Sequence, residues 1–322
     1  MAVLILNQRE VEELLDMEGC IAAMEEALSS LARGEVHLPL RPIVRPPGET
    51  NLMGLMPVHR GGDRPLYALK TVCVFPDNPE RGLDPHQGSV SLHDGETGAL
   101  RVLVNASAVT AIRTAAVSAL ATRTLAREDA QVCAIVGAGH QARAHVRAMR
   151  AARPFERIVV ASRTRAHAHD LAAAEGAEAV DTVEEAVRAA DVVCTVTQSP
   201  EPVLRRDGLR PGVHVNAVGA CFPHTRELDT ATVADSAFYV DRRESAENES
   251  GDFLIPLREG AIGEGHIRAE LGEVLIGAAP GRESDEELTV FDSLGLAVED
   301  LAAVEYLARR ARETGAGVEV EF

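Results

Sequence analysis

Apolar positions along the chain change their spacing in a readable order. Leu4 and Ile5 begin a strand, and Asn7 reads as a helix N-cap before Val11, Leu14, Leu15 and Met17, which recur at helical spacing. The same amphipathic pattern runs on from Cys20 to Leu31 and stops at Gly34. Residues 39–48 are Pro-rich and extended. Strand-like runs follow at Asn51–Met56, Leu66–Phe75, Gly88–His93 and Leu100–Asn105. Asp94-Gly-Glu-Thr-Gly98 joins the last two as a hairpin turn. The first hundred residues therefore predict a mixed, mainly antiparallel sheet with a pair of helices.

A long Ala-rich helix is expected over Ser107–Ala126, and then the rhythm changes. Strands at Val132–Val136, Ile158–Ala161, Val192–Val196, Val213–Val218 and Phe238–Val240 alternate with helices at Ala144–Ala152, Thr164–Glu175 and Val183–Ala189. Alternation of this kind implies a parallel, doubly wound sheet with right-handed crossovers. Val290–Gly295 reads as a turn and Val298–Ala311 as a helix returning to the first domain. Glu244–Ser250 and Arg282–Glu287 read as solvated charged loops.

The connection after the first parallel strand carries chemistry. Gly137-Ala-Gly139-His-Gln141-Ala142 is a G-x-G-x-x-A turn between a strand and a helix. Gly137 permits the tight turn, Gly139 lets backbone approach a pyrophosphate, and Ala142 lets the helix pack closely. The helix start then offers N–H groups and positive partial charge to phosphate. In a dinucleotide fold the end of the second strand meets the adenine ribose. Here it reads Ala161-Ser162-Arg163-Thr164-Arg165, with no acid and two arginines, which favours NADP(H) over NAD(H). Thr195–Gln198 and Asn216–Cys221, at later strand ends, point to the ligand crevice.

Composition bounds the partners. The 322 residues are 46% hydrophobic and 25% charged, ordinary for a globular chain of two domains. A formal net charge of −18 argues against nucleic acid and anionic membrane surfaces. No apolar run reaches transmembrane length, and Met1–Asn7 lacks the marks of a signal peptide. The five cysteines are scattered without metal spacing, as expected of free thiols in a reducing cytoplasm. His167 and His169, two apart on a helix, cannot share a metal, so none is expected.

Of 32 basic residues (Lys plus Arg), Lys70 is the one lysine. A position that keeps lysine in an arginine-using chain can need a compact amine able to lose a proton. Arg41, Lys70 and Arg113 each sit among apolar or small residues, where a buried cation calls for an anion. Together they could clamp a carboxylate, and singly each could pair with an acid of the chain.

At this point the chain resembles the ornithine cyclodeaminase/mu-crystallin family. The resemblance rests on Leu55-Met-Pro57, Tyr67-Ala-Leu-Lys70, Phe75-Pro-Asp-Asn-Pro79, Ala108-Val-Thr-Ala-Ile-Arg-Thr-Ala-Ala116 and Ile135-Val-Gly-Ala-Gly-His-Gln-Ala-Arg143. It continues through Ser162-Arg-Thr164, Ala190-Asp-Val-Val193, Asn216-Ala-Val-Gly219, Arg226-Glu-Leu-Asp229 and Phe291-Asp-Ser-Leu-Gly-Leu-Ala297. It implies a Rossmann NAD(P)-binding domain over residues 119–290, and a smaller α+β substrate-binding and dimerisation domain from 1–118 with 291–322, assembled as a homodimer. It also implies substrate contacts at Arg41, Lys70, Arg113 and Leu294, with Arg45 close enough to compete with Arg41. Cofactor contacts are implied at Thr114, Gly137, Gly139, Gln141, Ser162, Arg163, Thr164, Thr197, Val218 and Ser293.

One departure steers the expected activity. Family cyclodeaminases carry an acid/base aspartate just after the Val-Gly pair, and here that position is Cys221. A thiol substitutes poorly for that acid. Ornithine cyclisation must deprotonate an ammonium and expel ammonia, whereas imine reduction needs a protonated C=N, an anchor and a hydride. The resemblance therefore implies NADPH-dependent reduction of a cyclic ketimine carboxylate, with Lys70, Arg113 and Cys221 at the reacting centre. Ornithine cyclodeamination or an NAD-dependent amino-acid dehydrogenase is the rival enzyme. A non-turning NADPH-binding protein is the rival of another class, and Glu227 or Asp229 could take over the missing acid's role.

Overall fold

The structure is a computed structural model, described over residues 2–322. Met1, at the head of the stretch read for a leader, and the side chain of Pro79, which ends the Phe75–Pro79 motif, lie outside the described residues. Contacts divide the chain into two units, Met1–Arg113 with Leu296–Phe322, and Thr114–Gly295.

The first unit opens with strand β1 (Ala2–Leu6), helices α1 (Gln8–Leu14) and α2 (Met17–Ala32), and short strands β2 (Val36–His37) and β3 (Ile43–Val44). Asn7 caps α1 as expected, in a reciprocal capping box with Glu10. The expected pair of helices is present: the chain breaks between them at Leu15, and Asp16 caps α2 by accepting from the Gly19 N–H at 2.8 Å. Strands β4 (Leu52–Arg60), β5 (Leu66–Val74), β6 (His86–Asp94) and β7 (Leu100–Asn105) form an antiparallel meander, and β1 joins β7 in parallel. Asn105 caps helix α3 (Ala106–Leu125) through the Ala108 N–H.

The second unit is built on an eight-stranded sheet in which every pairing is parallel. Its elements are β8 (Val132–Val136), α4 (His140–Ala152), β9 (Arg157–Ala161), α5 (Arg165–Glu175), β10 (Glu178–Ala179), α6 (Val183–Val187), β11 (Val192–Thr195) and β12 (His214–Ala217). They continue with α7 (Thr230–Ala234), β13 (Ala237–Val240), α8 (Arg243–Glu249), α9 (Gly251–Arg258), β14 (Ile267–Glu270), α10 (Leu271–Leu275) and β15 (Thr289–Asp292). The order β10-β9-β8-β11-β12-β15-β13-β14 places β8 where the winding reverses. That is the switch point at which α/β sheets bind ligands. Buried Val, Ile and Ala from these strands make the core, as a sheet covered on both faces requires.

The chain returns to the first unit through α11 (Ala297–Thr314) and β16 (Val318–Glu321). Helix α11 packs on α2 and over β4, β5 and β6. Two sequence expectations are corrected. Val290–Gly295 begins as strand β15, because Thr289–Asp292 pairs with β12 and β13, and the turn comes only at Gly295, φ 78°. Glu244–Ser250 is no loop. Its acids sit on the outer side of α8 while Ser245 and Ala246 are buried, and Ser250 caps α9. Contacts also divide the chain at 113/114 and 295/296, rather than at the expected 118/119 and 290/291. Ser118 bonds His145 and Thr122 bonds Asn216, tying that stretch of α3 into the second unit, and β15 belongs wholly to the parallel sheet.

Candidate functional site

Five adjacent parallel strands end on one edge of the second unit, and each is followed by residues singled out in the sequence. Gly137–Gln141 follow β8, Ser162–Thr164 follow β9, Thr197 follows β11, Val218–Cys221 follow β12, and Ser293 and Leu294 follow β15. Backbone hydrogen bonds stitch this rim together. The Gly137 N–H donates to Ala161 O at 2.8 Å, Val196 to Val136 at 2.9 Å, Val218 to Thr195 at 3.0 Å and Ser293 to Ala217 at 2.8 Å.

The rim fits a dinucleotide. Gly137 has φ 127°, and a Cβ there would meet Val196 O at 2.9 Å, so glycine is required on both counts. At Gly139 a Cβ would meet nothing within 4 Å. Helix α4 begins there with no side-chain cap, leaving its first N–H groups for an anion. Among the described residues, the buried Gln141 Oε1 and Ser293 Oγ on the rim lack a hydrogen-bond partner. Orphans of this kind are rare unless a ligand or water completes them. Ser162 is half-buried, Arg163 and Thr164 are exposed, and Thr114 and Val218 are 7% exposed.

Beneath the rim lies a set of buried carboxyls. Glu227 Oε1 accepts from the Thr197 N–H and hydroxyl, both at 2.6 Å, and Oε2 accepts from the Gly219 N–H at 2.7 Å. It thus holds the ends of β11 and β12 at a fixed spacing. Asp252 Oδ1 accepts from the Glu227 and Leu228 N–H groups. Burial pushes the Glu227, Asp252 and Asp292 carboxyls up, Asp292 to about 7. Asp241 Oδ2 accepts the Leu294 and Gly295 N–H groups, both at 2.7 Å, and so shapes the turn after β15.

The two acids that could have taken the place left by Cys221 are both engaged elsewhere. Both Glu227 oxygens are spent on backbone and a hydroxyl. Asp229 is the N-cap of α7, accepting from the Thr232 N–H and from Arg206 N. Cys221 itself is half-buried, its Sγ 3.6 Å from Val218 O.

In the first unit, alternation along β5 sends Ala68 and Lys70 inward, under α11, and Tyr67 and Leu69 outward. Lys70 is 2% exposed and Arg113, on α3, is 3% exposed. Their charges are met by two acids that the sequence did not single out, Glu299 and Asp300 in the first turn of α11. Asp300 Oδ1 accepts from Lys70 Nζ at 3.2 Å and from Arg113 Nε at 3.0 Å. Glu299 Oε2 accepts from a terminal nitrogen of Arg113 at 2.6 Å. The Lys70 and Arg113 charges are therefore balanced by acids of the chain itself. The clue was an adjacent acid pair inside the apolar run Leu294–Val304. Removing one member of such a set costs about 3–5 kcal/mol, because the others stay buried and unpaired.

Arg41 joins the group electrostatically. Burial pushes the Lys70 ammonium down to about 8, Asp300 opposes that, and the Arg113 and Arg41 charges add to it. Arg41 is half-buried, while Arg45, its competitor, is exposed beyond β3. Among the described residues no group of three His, Cys, Asp or Glu could hold a metal, and no helix is long and apolar enough to cross a membrane.

With this geometry in hand, comparison with known proteins places the chain. The model of the ornithine cyclodeaminase/mu-crystallin family matches residues 1–315. The chain belongs to that family. A Δ1-pyrroline-2-carboxylate reductase of Bacillus cereus is 36% identical over 327 aligned positions, covering 99% of this chain and 100% of the relative. The ketimine reductase mu-crystallin of Mus musculus is 38% identical over 304, covering 92% and 94%. Among solved structures, Thermococcus litoralis Δ1-pyrroline-2-carboxylate reductase in complex with NADH and L-proline superposes with a TM-score of 0.94 at 36% identity, covering 99% of this chain and 100% of that one.

Proposed function

We propose that this chain reduces a cyclic ketimine carboxylate, of the Δ1-pyrroline-2-carboxylate or Δ1-piperideine-2-carboxylate type, to the cyclic amino acid, at the expense of a reduced nicotinamide dinucleotide. The observation that carries the choice over cyclodeamination is Cys221, with Glu227 and Asp229 both committed elsewhere. Reduction needs no group to strip an ammonium or release ammonia. Relatives named as reductases of this substrate class match over essentially the full chain, which supports the same reading.

The proposed roles draw on the family resemblance, and this geometry supports them. Arg41 and Arg113 hold the substrate carboxylate, with Leu294 as the apolar contact that the family resemblance implies. Lys70, as the ammonium, keeps a proton at Nζ for the imine nitrogen. Arg113 is fixed before substrate arrives by Glu299 and Asp300, so little orientational freedom remains to be lost. On the second unit, Gly137, Gly139 and the α4 N-terminus take the pyrophosphate, Gln141, Thr114 and Ser293 offer polar contacts, and Thr197 and Val218 line the nicotinamide end. The cofactor, when bound, supplies the hydride to C2. In this reading Cys221 does not take the acid's role.

NADP(H) is the finer proposal, since Arg163 stands exposed after β9 where an acid would otherwise read the ribose; the Thermococcus relative was solved with NADH, so both must be assayed. A homodimer is proposed from the outer face of the first sheet. There Leu69, Ser91, Leu103, Ile5 and Val318 lie in one cross-strand row, with Leu69 36%, Ile5 36% and Val318 60% exposed.

The deciding experiment follows oxidation of NADPH and of NADH with pyrroline- and piperideine-2-carboxylates, ornithine, and pyruvate plus amines. Proline or pipecolate formed with matching cofactor loss is expected. Ammonia released from ornithine without added NADPH, or no turnover on any imine acid, overturns the proposal.

A further inference from the structure

The roles above use the two cations of the buried quartet and leave its acids unassigned. Asp300 is the group both cations share. One of its oxygens takes Lys70 Nζ and Arg113 Nε together, and the other is buried without a hydrogen-bond partner among the described residues. Asp300 is also the hydrogen-bond partner of the Lys70 side chain. A lysine has four methylenes of freedom, and here one acceptor defines where its nitrogen rests.

We propose that Asp300 is the positioning residue of the ketimine site, fixing Lys70 Nζ beside Arg113 and keeping that nitrogen protonated. The inference rests on the reading of Lys70 as the proton-bearing group. Arg113 faces Lys70 from α3 and Arg41 from the segment between β2 and β3, and both repel its charge. Asp300 on α11 attracts it, with Glu299 engaged by Arg113. The α2 thiol of Cys20 lies near Arg113 and Glu299, and its own proton is held firmly by burial. Across the sheet the partners are Met56 and Val90, both apolar. Asp300 is thus the charge that offsets burial and two guanidinium groups. The first turn of a helix suits an ionised carboxylate.

The chain has a single lysine, so the test can be made on Lys70 directly. Isotope-labelled lysine gives one side-chain resonance, whose pH titration needs neither substrate nor cofactor. The native protein is expected to titrate near about 8. In Asp300→Asn the midpoint should fall by roughly one unit or more, at least a tenfold loss in proton affinity, and the high-pH limb of kcat/KM should move with it. Asp300→Glu keeps the charge but displaces Nζ, so the midpoint should stay while kcat drops. A folded Asp300→Asn protein with an unmoved midpoint, or an Asp300→Glu protein with native kcat, overturns the proposal. If the native protein reduces no ketimine, the functional reading fails, and the resonance still reports whether Asp300 governs Lys70.

Discussion

Gly219 and Glu227 are locked together in the second unit. The Gly219 N–H donates to Glu227 Oε2 at 2.7 Å, and a Cβ on residue 219 would stand 1.8 Å from the Thr197 carbonyl oxygen and 2.8 Å from the Glu227 carboxyl. The first of those obstacles is backbone and cannot swing away. Gly219→Ala should therefore push the ends of β11 and β12 apart, at an overpacking cost of about 1–3 kcal/mol. Because those ends carry Thr197 and Val218, nicotinamide dinucleotide affinity should fall at least about tenfold, a change of ~1.4 kcal/mol. Denaturant unfolding and fluorescence titration with NADPH check the two parts. Native affinity in a folded Gly219→Ala protein would show that the rim does not depend on this clamp.

Asp292 makes the stability of the second unit depend on pH in an unusual direction. Burial pushes its carboxyl up to about 7 from an ordinary 3.8, the Glu227 charge adds to this, and the Ser250 hydroxyl opposes it. Between those pH values the folded protein holds a proton that the unfolded chain has released. The Asp292 contribution is therefore complete below about pH 4 and is lost as pH rises through about 7. Asp292→Asn, which cannot ionise, should show a shallower fall in stability across that window, by an amount on the order of a few kcal/mol. Exposed acids paired with arginine slope the other way, but equally in both proteins. Parallel stability curves for the two proteins would contradict the assignment.

What was legible in the sequence was local. The Asn7 cap, the Asp94–Gly98 hairpin turn and the Gly137 turn each act within a few residues, so their types alone predict them. The segments α8, α9 and α10 were not legible, being only 7, 8 and 5 residues long, too short to show a period. Glu299 and Asp300 escaped for another reason. Their partners lie 186, 187 and 230 residues away, and acids in a first turn are ordinary in any helix. Glu227 was singled out only as a stand-in acid; its role as a clamp was hidden, since it serves backbone N–H groups, which carry no mark in the residue types. The rim residues were readable because each follows its own strand, and only the parallel order of the sheet brings them to one edge.

Lys70 gives activity its own pH dependence. With its ammonium pushed down to about 8, chiefly by burial, the protonated form is lost as pH rises through that value. If Lys70 supplies the imine proton, kcat/KM should decline above about pH 8. Lys70→Arg keeps a positive charge that does not titrate in this range. It should flatten that limb, with kcat lower by roughly 100-fold for want of a proton donor of suitable strength. Rate profiles from about pH 6 to 10 with saturating cofactor decide it. A Lys70→Arg protein that retains both the native rate and the decline would remove Lys70 from proton transfer.

Arg163 offers the sharpest test of cofactor choice. It is exposed just after β9 and makes no hydrogen bond or ion pair among the described residues, so its guanidinium is available to a ribose phosphate. A hydrogen bond to such a charged group contributes about 1.5–3 kcal/mol, which corresponds to roughly 10–150-fold in affinity. Arg163→Asp removes that contact, repels a 2′-phosphate and offers an acceptor to a 2′-hydroxyl. The expected outcome is a fall of that size in kcat/KM for NADPH, with the value for NADH held or raised. The fold should be unaffected, since Arg163 is exposed and makes no hydrogen bond or ion pair among the described residues. Equal losses with both cofactors would mean that the arginine serves the helix start rather than the phosphate, and an undiminished preference for NADPH would place its reader elsewhere on the rim.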